Sequence, residues 1–90
     1  MTEKEKEFTQ GLIYCILNEG AYYVDFTGTT ISPYNLREAL KDNGFEEDAY
    51  DCNCKDYWWS FKHPNVGTVT MFFNAESFEL TLRVDNDAKT

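Results

Sequence analysis

Between Tyr57 and Val84 apolar and polar side chains alternate in three successive runs, and no other stretch restricts the fold as strongly. Tyr57, Trp59 and Phe61 oppose Trp58, Ser60 and Lys62; Val69, Met71 and Phe73 oppose Thr68, Thr70 and Phe72; Phe78, Leu80, Leu82 and Val84 oppose Glu79, Thr81 and Arg83. A period of two is the spacing of a strand whose faces meet different surroundings. The links His63 to Gly67 and Asn74 to Ser77 are short and of turn composition, so the runs predict an antiparallel meander with one apolar face. A sheet of this kind is stable only when that face is covered.

The cover comes from the first half of the chain. Ser32 at an N-cap, Pro33 at the first helical position and Ile31 facing Leu36 open a helix. Gly44, which tolerates φ > 0, closes it, with Phe45 folding back on Leu40 in a Schellman ending. Leu36, Ala39, Leu40 and Asn43 form its inner face. An earlier helix is predicted from about Glu3 to Glu19, with Phe8, Leu12, Cys15 and Ile16 on one face and Gly20 as its stop; Gly11 is a defect inside it. Ile13, Tyr14 and Leu17 widen its apolar sector, so cover is expected from the sheet or from a second chain. Ala21 to Thr27 alternates as a strand, with Tyr22, Val24 and Phe26 on one side. The expected fold is therefore α+β, a two-layer sandwich in the order α-β-α-β-β-β. Both helices lie on one face of a mostly antiparallel sheet, a further short strand has room within Asp48 to Asn53, and the pairing of the strand from Ala21 is left open. Residues 1–90 form a single domain, with 1–6 and 86–90 as ends that can fray.

Charge narrows the function. The 16 acidic and 8 basic side chains give a net charge of −8. A binder of the phosphate backbone needs the opposite surplus, so nucleic acid is not an expected direct partner, whereas a protein with a basic surface is. Three cysteines and no apolar leader suit free thiols in a reducing cytoplasm, bacterial or of an infected host cell. The longest apolar run, Leu12 to Leu17, is far below the ~20 residues that span a bilayer.

The candidate working surface lies where carboxylates run into aromatics. Glu46, Glu47, Asp48, Asp51 and Asp56 face one nearby base, Lys55, and stand beside Tyr50, Tyr57 and Trp58. Aromatic rings supply contact area at low entropic cost, and carboxylates steer toward Lys or Arg of a partner. These eight residues are the expected partner-binding set; a plain solvated loop is the competing account. Adjacent in a strand, Trp58 and Trp59 point to opposite faces, which puts Trp59 in the core and leaves Trp58 with Phe72 as an outer pair. Asp42 to Asp56 could form one row of carboxylates in imitation of DNA, extended by Asp25, Glu79, Asp85 and Asp87 if the fold gathers them.

Catalytic and cofactor chemistry find little support. Cys52, Cys54 and His63 offer a weak metal site, since C-x-C is shorter than the usual zinc spacing, and two thiols on one strand face are the simpler account. The order EEDAYD lacks the ligand pattern of a calcium loop. No cofactor is expected. The function expected is a small acidic non-catalytic binding protein that occludes a basic surface, such as an inhibitor of a nucleic-acid-processing enzyme of the nuclease-immunity or phage anti-CRISPR type. The alternative is a structural subunit that dimerises or docks through the outer aromatic face.

Overall fold

In the computed structural model, which describes residues 2–85, the chain runs α1 (Glu3–Asn18), β1 (Tyr23–Asp25), α2 (Pro33–Asp42), β2 (Glu46–Asn53), β3 (Asp56–His63), β4 (Gly67–Asn74) and β5 (Leu80–Asp85). The five strands form one antiparallel sheet in the order β1-β5-β4-β3-β2, and the fold is α+β as expected. The expected fraying of 86–90 lies outside the described residues.

Local signals fixed α2 at both ends. Ser32 Oγ accepts from Asn35 N at 3.1 Å, with Pro33 at the first helical position. At the other end Phe45 N donates to Leu40 O (3.0 Å) and Gly44 N to Lys41 O (3.1 Å), the paired bonds of a Schellman motif around Gly44 at φ 86°. The motif turns the chain straight into β2. At the start of α1, Thr2 and Glu5 exchange side-chain and backbone bonds in a capping box, so the charged lead-in takes the form of a solvated first turn.

The core lies between the helices and one sheet face. Ile13 and Ile16 of α1 and Leu36 and Leu40 of α2 pack over Phe61, Val69, Met71, Leu82 and Val84. Each such side chain contributes ~1.5–3 kcal/mol by leaving water. The molecule is only 18 Å through its shortest axis, the thickness of one helix layer on one sheet. Among the described residues nothing covers the sheet's other face.

Four sequence expectations change in detail. The buried stripe of α1 is Thr9, Ile13 and Ile16, rotated from the expected Phe8, Leu12, Cys15 and Ile16; Phe8 stays half-exposed, edge-on to Phe26 at 6.1 Å. Strand β1 keeps three residues of the expected seven and joins β5 antiparallel, and Tyr22, expected on one side with Val24 and Phe26, is 67% exposed while those two are buried. The acidic stretch is a full strand of eight residues where a loop with room for a short strand was expected. Its partner supplies the reason: Tyr50, Asp51 and Cys52 lie opposite Trp59, Trp58 and Tyr57 across a hairpin closed by Cys54 and Lys55, and an edge position leaves the carboxylates in water. Phe78, expected on the inner face of β5, precedes that strand at φ 60° and is 69% exposed.

Candidate partner-binding surface

Alternation along β3 and β4 puts Trp58, Ser60, Lys62, Thr70 and Phe72 on the uncovered face, and the strand register assembles them into rows. One row crosses all five strands: Asp25 pairs with Thr81, Thr81 with Phe72, Phe72 with Trp58, and Trp58 with Asp51. Aromatic rings thus occupy the middle of the face, their centroids 5.6 Å apart, and carboxylates stand at both ends. The next row runs Tyr23, Arg83, Thr70, Ser60 and Ala49. Together Tyr23, Trp58, Phe72 and Arg83 border a shallow depression of about 600 Å³ floored by Thr70 and Thr81. Although it faces outward, Thr81 is only 7% exposed, because its larger neighbours shade it.

Of the eight expected binding residues, Glu46, Asp51, Asp56 and Trp58 fall on this outer face. Asp48 sits in a β-bulge between Glu47 and Ala49 and reaches toward Lys62, Oδ2 to Nζ 3.8 Å. The remaining three fall on the helix side of the sheet. Glu47 there is held by Arg37 at 2.5 Å and by Lys41 at 3.9 Å, so it clamps α2 to β2 and is not an uncompensated charge. That carboxylate holds the Arg37 guanidinium above its ordinary pKa, first through the hydrogen bond. Tyr50 and Tyr57 flank Trp59 at 5.2 and 6.1 Å, and partial loss of water beside its neighbours, followed by a hydrogen bond with Cys52, pushes the Tyr50 phenol up. A single surface that unites Tyr50, Tyr57 and Trp58 is therefore ruled out by the pleat.

The carboxylates proposed as a DNA-like row are gathered differently. Asp25, Glu79 and Asp85 reach the same outer face, but at the β1–β5 side, while Glu46, Asp48 and Asp51 line the β2 side. The acids bracket the aromatic pair from two edges and do not continue one line. Asp87 lies outside the described residues. Arg83, Thr70 and Tyr23 were not singled out from the sequence. Alternation already puts Arg83 and Thr70 on Trp58's face, whereas Tyr23 required the pairing of β1.

The weak metal triplet comes apart. Cys54 lies in the β2–β3 turn and His63 at the far end of β3, seven residues past the strand's first residue Asp56, or ~23 Å of extended chain. His63 is taken up locally, its Nδ1 accepting from Asn65 N at 3.1 Å and its ring 4.7 Å from that of Phe45. Nor do the two thiols share a strand face, because Cys54 has left the strand at φ 56°. Among the described residues no three His, Cys, Asp or Glu side chains group as metal ligands, and no helix is long and apolar enough to cross a membrane. Comparison with protein-family models, curated proteins and solved structures finds no match to this chain.

Proposed function

We propose that this chain is a small non-catalytic binding protein whose outer sheet face covers a basic surface of a macromolecular partner, within a reducing cytoplasm. The observation that carries the reading is the row Asp25–Thr81–Phe72–Trp58–Asp51, an aromatic pair centred on an open face and bracketed by carboxylates. A central aromatic anchor with a charged rim is the anatomy of a binding hot spot. Charge argues against the alternative of self-association through this face. Asp25, Glu46, Asp48, Asp51, Asp56, Glu79 and Asp85 outnumber Lys62 and Arg83, so two copies face to face oppose like charges. A Lys- and Arg-rich partner meets the same carboxylates favourably, and enzymes that handle nucleic acid carry such surfaces. Inhibition of a nucleic-acid-processing enzyme, of the nuclease-immunity or anti-CRISPR type, is the finer reading. The two acidic edges suit steering of a basic groove better than a phosphate-by-phosphate imitation of DNA, whose duplex carries a charge every ~1.7 Å of axis.

Affinity capture from the native host with the wild type and with Trp58→Ala tests the reading. The wild type is expected to retain a basic protein released by salt, and Trp58→Ala to lose ~2 kcal/mol or more of binding, about thirtyfold. Equal retention by both proteins refutes the outer face as the interface.

A further inference from the structure

The helix side of the sheet carries a second feature that docking on the outer face leaves unused. Beyond the N-terminal end of α2 the cover stops, and Tyr50 of β2, Tyr57 of β3 and Phe73 of β4 line the remainder of that face around the buried ring of Trp59. Their rings follow one another at 5.2 Å (Tyr50–Trp59), 6.1 Å (Tyr57–Trp59) and 6.1 Å (Tyr57–Phe73). Tyr34, at the start of α2, adds a fifth ring, and the half-open pocket is about 200 Å³. Pockets for drug-sized molecules run from ~300 to 1,000 Å³, so this one admits a single end group.

Two of its rings stand unusually open, Tyr34 at 72% and Tyr50 at 51% exposure. Phe78 prolongs the series 6.4 Å from Phe73, held outward in the left-handed region by Phe78 N donating to Asn74 O at 2.8 Å. A bulky residue kept at positive φ with its ring in water is strain of the kind that gathers at binding sites.

We propose that this pocket is an aromatic cage for one organic cation, the ammonium or guanidinium end of a lysine or arginine side chain on a protein partner. The face of an aromatic ring is its negative pole, and a cation within ~6 Å of several ring centroids is attracted by all of them. Among the described residues none that lines the pocket carries a charge to repel or replace such a guest. The chain's net charge of −8 favours cations over neutral side chains of similar bulk. The proposal shares with the outer face only the idea of a basic partner, and free cations test it without that partner, so either can fail alone.

The two tryptophans point to opposite faces of one strand, which gives the experiment its internal control. Indole N–H signals of Trp59 and Trp58 are followed by NMR during titration of the folded protein. The titrants are blocked lysine amide, blocked arginine amide, choline, and the uncharged tert-butyl analogue of choline. The blocked lysine or arginine is expected to shift Trp59 saturably and leave Trp58 in place, and the uncharged analogue to bind at least threefold more weakly than choline. Tyr50→Leu is expected to weaken cation binding about threefold or more, and Tyr34→Ala, a change at an exposed side chain, keeps the test open if Tyr50→Leu folds poorly. Absence of a saturable Trp59 response overturns the proposal, as does equal binding of the uncharged analogue. Choline bound more than tenfold tighter than both amino-acid amides also overturns it, because the guest is then a free quaternary ammonium compound and not a partner's side chain.

Discussion

Cys54 shows how a single position can carry strain that composition conceals. It is the first residue of a two-residue turn and adopts φ 56°, a region in which an L-residue with an ordinary side chain loses roughly 1–2 kcal/mol. Asparagine tolerates that region because its short amide bonds locally. Cys54→Asn is therefore expected to stabilise the protein by about 1 kcal/mol, seen in denaturant unfolding as a higher midpoint at unchanged slope. An unchanged midpoint would mean that the turn relaxes at no cost. Residue-scale placement was legible in the sequence wherever alternation ran inside a strand, as at Trp59, Phe61, Val69, Met71 and Leu82, all buried. It failed where the chain leaves a strand. Phe78 continues the period-two pattern on paper, yet Asn74 Oδ1 accepts from Glu76 N and Ser77 N at 2.9 and 2.8 Å and shapes a loop that turns Phe78 outward.

Elements set by local signals were readable, and elements set by a distant partner were not. The ends of α2 are dictated within a few residues, by Ser32 and Pro33 on one side and Gly44 on the other, and both are where the sequence puts them. Strand β2 is the opposite case. Glu46, Glu47, Asp48 and Asp51 favour no strand by themselves; pairing with the aromatic β3 makes it one. The stripe of α1 turned for the same reason, since which of its apolar residues meet the sheet depends on how α1 lies against it, and Thr9 occupies the buried line. The contact between α2 and β2 can be weighed directly. Arg37 and Glu47 are both half-buried and 2.5 Å apart, which places their coupling near the upper end of the 0.2–1 kcal/mol found for exposed pairs. A double-mutant cycle on Arg37→Ala and Glu47→Ala in denaturant unfolding is expected to return about 1 kcal/mol. A coupling energy near zero would mean that the apolar packing of Leu36 and Leu40, and not this ion pair, decides how α2 is held. Reversing the charge of Glu47 consequently perturbs the fold before it can report on any partner.

Across the whole molecule, a two-layer fold has one sheet face to spare, and this chain gives its spare face an aromatic centre and acidic margins. The sequence disclosed the ingredients, carboxylates beside Tyr50, Tyr57 and Trp58, but treated neighbours in the chain as neighbours in space. Pleating sends Tyr57 and Trp58 to opposite faces, and the antiparallel register brings Asp25, which is distant in sequence, into line with Asp51. Steering by the margins and contact at the centre are thus two contributions that one mutation cannot distinguish. The measurement that separates them is the ionic-strength dependence of affinity for the captured partner, compared among the wild type, Trp58→Ala and the pair Asp25→Asn, Asp51→Asn. Neutralising the carboxylates is expected to flatten the fall of affinity with salt, whereas Trp58→Ala should lower affinity by a similar factor at every salt concentration. An affinity whose salt dependence is the same in the wild type and the asparagine pair would contradict a basic partner docked on this face.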